Sequence, residues 1–160
     1  MNFVEATAAF VLDILPPEHL PEVALAALES GLDSTSLAVL AGEPARSDPR
    51  DLRELFEAAI RELKLPLPSP LEAADILKQH YAVQVAAGRL APREGARLIV
   101  EQVFRAIDHL LPRGAYVGES FGIARLVGIF YDYDDVSPTD ADAIAEIDQA
   151  IVDECARLAK

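Results

Sequence analysis

A G-x-S-x-G pattern at residues 118–122 is the short motif of this chain that could indicate covalent catalysis. In hydrolases with this pattern, the serine lies in a strained turn after a buried parallel strand, and a histidine that follows it in sequence acts as its base. Here His19, His80 and His109 all precede Ser120, and no alternation of strands and helices is present to build the sheet. The pattern therefore favours Ser120 as a residue at the N-terminus of a helix.

The densest polar cluster of the chain is Tyr131-Asp132-Tyr133-Asp134-Asp135. Its aspartates begin with the spacing of a calcium-binding EF-hand loop, but valine occupies the fifth position and no glycine follows at the sixth. A looser Mg²⁺ or Ca²⁺ site and a solvated helix end are alternatives, and we assign no metal ligand. Two tyrosine rings flanked by charge are typical of protein interfaces. We therefore predict that these five residues bind a partner.

Arg125 is the only charged residue in the apolar stretch 121–131. A buried guanidinium needs carboxylate or carbonyl partners, because an unpaired buried charge is severely destabilising. Asp132 follows seven residues later, on the same face of a continuous helix. The spacing predicts a structural ion pair between these two residues.

The alternative is that Arg125 binds an anion in a small-ligand site. Glu119 and His109 lie on either side of the glycine-containing loop 112–118, where glycine allows a ligand to approach closely. In this hypothesis Arg125, Glu119 and His109 line a pocket beside that loop.

The remaining histidine and cysteine residues indicate no catalytic or metal chemistry. His80 and His109 lack a ligand at the i+3 or i+4 spacing of carboxylate-bridged metal centres, and His19 stands alone near prolines. Cys155 falls on an apolar helical stripe and is expected to be a buried small side chain. The other members of this stripe are Ile144, Ile147, Ile151 and Leu158. We assign no catalytic residue and no cofactor, and the sequence favours a non-enzymatic protein.

Negative charge is concentrated near the end of the chain. From Asp132 onward nine acids accompany only Arg157 and Lys160, a net charge of −7, whereas the first 131 residues carry 18 acids and 12 bases, a net charge of −6. This surface repels phosphate backbones, so we expect no direct nucleic-acid binding. It attracts a basic protein partner instead, although solubility alone would also explain the charge.

Several features of the sequence indicate where in the cell the protein is expected. Residues 1–5 lack the basic segment and cleavage pattern of a signal peptide, and the apolar stretch 121–131 is too short to span a bilayer. The single cysteine excludes an internal disulfide. We expect a cytoplasmic protein that does not contact membranes.

Apolar residues recur at helical spacing in nearly every segment, and no sustained period-two alternation is present. Prolines, glycines and capping residues divide the chain into segments. We predict helix caps at Asp33 or Ser34, at Asp48, at Ser69 with Glu72 in a capping box, and at Ser137. The predicted helices span about residues 2–15, 21–31, 34–41, 49–63, 70–88, 92–111, 119–133 and 138–160. The pattern predicts an all-α fold, with residues 1–160 forming a single domain of about seven to eight helices.

The segment 119–133 is predicted to be the central helix of this bundle. Its apolar residues cover all sides, as expected for a helix that is surrounded by others. Gly122 and Gly128 each cost about 1 kcal/mol relative to alanine in a helix interior. This cost is usually offset where two helix axes approach closely.

Three stretches of the chain, composed mainly of helix caps and turns, resemble segments of a known group of proteins. They are Gly31-Leu32-Asp33-Ser34 with Leu37 and Leu40-Ala41-Gly42, then Leu67-Pro68-Ser69-Pro70-Leu71-Glu72-Ala73-Ala74, then Gly88-Arg89-Leu90-Ala91-Pro92-Arg93-Glu94-Gly95-Ala96. Together they resemble a loosely defined group of small helical bacterial proteins of uncharacterised function. The resemblance covers about residues 25–110 and implies a bacterial, cytoplasmic, helical protein. It implies no mechanism.

The leading functional hypothesis is a non-enzymatic module that presents an acidic C-terminal face to a basic protein partner. An immunity protein or antitoxin that neutralises a toxin would be one form of such a module. Two alternatives remain. One is a small-ligand-binding protein or enzyme with a pocket near Arg125 and the loop 112–118. The other is a homo-oligomeric structural protein that assembles through exposed apolar faces on its first two helices.

Overall fold

The computed structural model describes all 160 residues and contains eight helices and no strand. The first five helices, α1 to α5, are Phe3–Val11, Leu20–Glu29, Thr35–Gly42, Pro49–Glu62 and Pro70–Ala86. The last three are α6 over residues 92–107, α7 over Ala124–Tyr131 and α8 over Ala141–Leu158. The prediction of an all-α fold is confirmed. None of these helices has both the length and the apolar composition needed to cross a membrane.

The chain forms two compact units, Met1–Ala73 and Ala74–Lys160, whose boundary falls within α5. The proline-containing segment 64–69 lies just before α5, and α5 itself continues across the boundary. The single domain of residues 1–160 stays a prediction, and unfolding of both units in one cooperative transition would support it.

The first unit is organised by helix caps and a small aromatic core. The side chains of Ser34 and Asp48 accept backbone N–H groups at the starts of α3 and α4, as their positions predicted. Helix α3 packs against both α2 and α4. The rings of Phe3 and Phe10 pack against Phe56, with centroid distances of 5.2 and 5.0 Å. These contacts join the first and fourth helices in one core.

In the second unit, α6, α7 and α8 pack against one another. Helix α6 is not uniform. It begins as the α-helix Pro92–Arg97, continues as the π-helix Leu98–Phe104 and ends with the turn Arg105–Ile107. A Cβ atom at Gly95 would lie 2.1 Å from Cγ2 of Val85, so a glycine is needed where α5 and α6 approach each other.

The helix predicted over residues 119–133 is divided into three pieces. A 3₁₀ turn, Glu119–Phe121, is followed by Gly122 at a φ of 74°, then by α7, and then by a second 3₁₀ turn, Asp132–Asp134. Gly122 adopts a left-handed conformation that glycine reaches without steric cost, and this conformation ends the first piece. Helix α7 is therefore short and only partly covered, with Arg125 in solvent.

The last helix also differs from its predicted extent. It begins at Ala141 instead of Pro138, and its cap is Asp140, whose side chain accepts the N–H of Ala143. Ser137 was predicted to be the cap, but its hydroxyl bonds to Thr139 in the preceding turn.

Candidate functional site

Helices α7 and α8 lie side by side and run in opposite directions. Arg125, near the start of α7, faces Glu154, near the end of α8, with 3.7 Å between Nε and Oε2. Tyr133, just after α7, donates its hydroxyl hydrogen to Asp148, nearer the start of α8. The connection 132–140 therefore lies at one end of this helix pair, and the Arg125–Glu154 pair lies at the other.

Glu154 is the only charged side chain of the chain that is buried. Its Oε1 atom accepts hydrogen bonds from Nε and Nη2 of Arg157 at 3.0 and 2.5 Å. This carboxylate raises the pKa of Arg157 above its usual value, chiefly through the hydrogen bonds. Arg125 and Arg157 are two of the three basic residues after position 120, the third being Lys160. The buried carboxylate of Glu154 therefore pairs with two of these three basic residues.

The ion pair predicted between Arg125 and Asp132 is not formed. The side chain of Arg125 is 70% exposed, and it pairs with Glu154 of α8. Asp132 lies beyond the end of α7, in a 3₁₀ turn. Because that turn has about three residues per turn, the facing register of a continuous α-helix is lost.

The structure divides the predicted partner-binding cluster into exposed and anchoring residues. Its exposed members, none of which forms an ion pair, are Tyr131, Asp132, Asp134 and Asp135. Tyr133 is buried, with its hydroxyl on Asp148 and the guanidinium carbon of Arg93 4.8 Å from its ring centroid. Burial raises the pKa of Tyr133 well above its usual value, and the bond to Asp148 adds to this effect. Tyr133 therefore anchors the cluster, while its neighbours face solvent.

A surface groove of about 420 Å³ lies between α7 and α8 beside this cluster. Its apolar lining, which is partly or fully buried, consists of Ile129, Val136, Ala143, Ile147 and Ala150. Three exposed carboxylates also line it, namely Asp132, Asp135 and Glu146. We refer to this feature as the acidic groove.

A second groove, of about 470 Å³, surrounds the loop 112–118 and includes two residues of the predicted ligand site, His109 and Glu119. The carboxylate of Glu119 is already occupied by backbone. Its Oε2 atom accepts the N–H of Ala115 at 2.5 Å and that of Tyr116 at 3.3 Å. This side chain therefore holds the loop in place. Of these two residues of the predicted ligand site, only His109 has a side chain without a hydrogen bond.

Of the remaining candidate residues, Ser120 also lines this groove, whereas Arg125 and Cys155 do not. Ser120 donates its hydroxyl hydrogen to the carbonyl of Pro112 at 2.6 Å, a bond that fixes the loop. Cys155 is buried, and burial, together with the charge of Glu154, raises the pKa of its thiol to about 12. No three or more His, Cys, Asp or Glu side chains are grouped so that they could hold a metal ion.

Sequence reasoning missed the burial of Glu154, which is one of the nine acids counted in the negatively charged end of the chain. A signal was present. Glu154 precedes Cys155 on the apolar stripe and follows Ile151 by three residues, and Arg157 lies at the i+3 spacing of a helical ion pair. The acidic groove gave no comparable signal, because it depends on how α7 and α8 pack.

Comparisons of this chain with known protein families, with curated proteins and with solved structures find no match.

Proposed function

We propose that this protein is a non-enzymatic binding module that docks a basic protein on the acidic end of the α7–α8 pair. A protein that neutralises a basic toxin would be one form of this activity. The observation that carries the proposal is the separation of charge along the pair. Arg125 and Arg157 converge on Glu154 at one end. The unpaired, exposed acids at the other end are Asp132, Asp134, Asp135, Asp142 and Glu146.

Some exposed acids elsewhere in the chain are compensated by neighbouring bases. On α4, for example, Glu54 pairs with Arg50 at 3.1 Å, and Glu57 pairs with Arg61 at 4.0 Å. Carboxylates that lack such partners create a local negative potential. A basic partner reduces the repulsion between these carboxylates and is attracted toward them. The arrangement therefore increases both the affinity and the association rate.

The test is a pull-down from the native host with the tagged chain. We expect a basic protein to co-purify and to be released when the salt concentration rises from about 0.05 M to about 0.5 M, because salt screens exposed charges. The variant in which Asp132, Asp134 and Asp135 are all changed to Lys should lose this partner.

The matched control changes Asp51, Glu54 and Glu57 to Lys. These residues are exposed on α4, and their reversal alters the net charge of the protein by the same amount. Loss of the exposed pairs on α4 costs only about 0.5 kcal/mol each. The control should retain the partner. Equal loss of the partner in both variants would contradict the proposal, since the effect would then follow net charge and not the acidic end of α7 and α8.

A further inference from the structure

We infer that the acidic groove receives the apolar face of a basic amphipathic helix, an inference that rests on the proposed function. The groove differs from the rest of the acidic surface because its floor is apolar. Ile129 comes from α7, Val136 from the connection, and Ile147 from α8. Ile147 is buried, whereas Ile129 and Val136 are partly exposed. These two side chains offer an occupant the burial of apolar area, which is the main source of affinity at the centre of an interface.

The geometry along α8 favours a helical occupant. Ala143, Ile147 and Ala150 line the groove at spacings of four and three residues, so they form one row on the surface of α8. This row extends over about 10 Å, given a rise of about 1.5 Å per residue. The two alanines leave space on either side of Ile147. Large apolar side chains at i, i+3 or i+4, and i+7 of an incoming helix would match such a row.

The charges that line the acidic groove indicate which polar residues the occupant carries. Asp132 and Asp135 line the groove from the connection after α7, and Glu146 lines it from α8, so both elements contribute carboxylates. An occupant with Lys or Arg beside its apolar face would meet these carboxylates. A second copy of this chain is disfavoured as occupant, because each copy carries a net charge of −13.

The probe is a synthetic peptide of about 18 residues with leucines at helical spacing and lysines elsewhere. Its reference is a permuted peptide of identical composition without that spacing, and binding to the full chain is measured by fluorescence anisotropy. We expect the amphipathic peptide to bind at least about tenfold more tightly than the permuted one. If both bind equally, the inference fails and the acidic surface of the proposed function stands. If neither binds, the proposed function fails with it.

Variants of α8 locate the binding site. Ala150→Phe, or Ala143→Phe as a second variant, places a ring in the groove at a partly exposed position, and we expect about tenfold weaker binding of the amphipathic peptide. The control is Ala145→Phe, the same substitution at an exposed position outside the groove. Circular dichroism confirms that each variant keeps its helix content. Unchanged binding in both groove variants would overturn the inference.

The charged flank is tested in the same assay. Glu146→Lys should weaken binding of the amphipathic peptide, whereas Asp153→Lys, at an exposed position of α8 outside the groove, should have a smaller effect. A peptide with glutamate in place of lysine should not bind. Equal binding of the acidic and basic peptides would overturn the assignment of a basic occupant.

Discussion

Arg157 donates two hydrogen bonds to a single oxygen of Glu154, the buried carboxylate of α8. The other oxygen of Glu154 has no hydrogen bond and faces Arg125 at 3.7 Å. Arg157 also donates to the carbonyl of Gly122 at 3.2 Å, which ties the turn before α7 to α8. The stability of the helix pair that carries the acidic groove therefore depends on Arg157 far more than on Arg125.

We expect Arg157→Ala to lower the free energy of unfolding by about 3 kcal/mol, because it leaves the carboxylate of Glu154 buried without a hydrogen bond. Arg125→Ala should cost less than about 1 kcal/mol, since this exposed side chain makes only a long ion pair. Adding Glu154→Gln to Arg157→Ala should recover part of the loss. Urea denaturation of the four proteins provides the comparison. Equal losses for the two arginine variants would contradict the assigned roles.

The bond between Tyr133 and Asp148 gives a second prediction. Tyr133→Phe removes a hydroxyl that is buried and bonded, so we expect the free energy of unfolding to fall by about 1 kcal/mol. Tyr131→Phe is the matched control, because Tyr131 is exposed and its hydroxyl has no partner. Its stability should match that of the parent protein. A Tyr133→Phe variant as stable as the parent would show that the bond contributes nothing net to folding.

Local signals in the sequence predicted the helix starts. Ser69 accepts the N–H of Glu72, and the carboxylate of Glu72 accepts the N–H of Ser69, so the capping box predicted before α5 is formed. The hydrogen bonds lower the pKa of Glu72 below its usual value. Such caps join residues that are three positions apart in the sequence. They can therefore be predicted without knowing the tertiary contacts.

The site could be predicted only in part, because it depends on contacts between distant residues. The cluster 131–135 was placed on the surface by its composition, yet Tyr133 is buried because α8 brings Asp148 to its hydroxyl. Gly122 was assigned to a helix interior, since an isolated glycine in an apolar run does not reveal a positive φ. The acidic groove required the packing of Ile129 on one helix beside Ala143 on the other, which no local pattern specifies.

Gly118 and Gly122 provide a matched pair of glycines near the start of α7. Both have positive φ, at 78° and 74°, so alanine at either position costs about 1 to 2 kcal/mol. Only at Gly118 would the new Cβ also lie within 2.8 Å of Ile123 and 3.1 Å of Val127, whereas nothing lies within 4 Å at Gly122. We expect Gly118→Ala to be the less stable variant by about a further 1 to 3 kcal/mol. Thermal or urea denaturation that shows equal losses would refute this steric argument.

The buried thiol of Cys155 predicts a pH dependence of stability. Burial first, and the charge of Glu154 second, raise its pKa from the usual 9.0 to about 12. The unfolded chain ionises this thiol near pH 9, while the folded protein keeps the proton, so the unfolded state is favoured as the pH rises. The contribution of Cys155 is complete below pH 9, and the free energy of unfolding should fall above it by at most about 1.4 kcal/mol per pH unit.

The measurement is urea denaturation of the parent and of Cys155→Ala under reducing conditions between pH 8 and pH 10, the upper limit being the usual pKa of tyrosine. Alanine lowers stability by leaving a small cavity, but this loss is the same at every pH. The difference in free energy of unfolding between the two proteins should therefore shrink as the pH rises through 9. A constant difference would show that the thiol ionises equally in both states, and that its burial does not protect its proton.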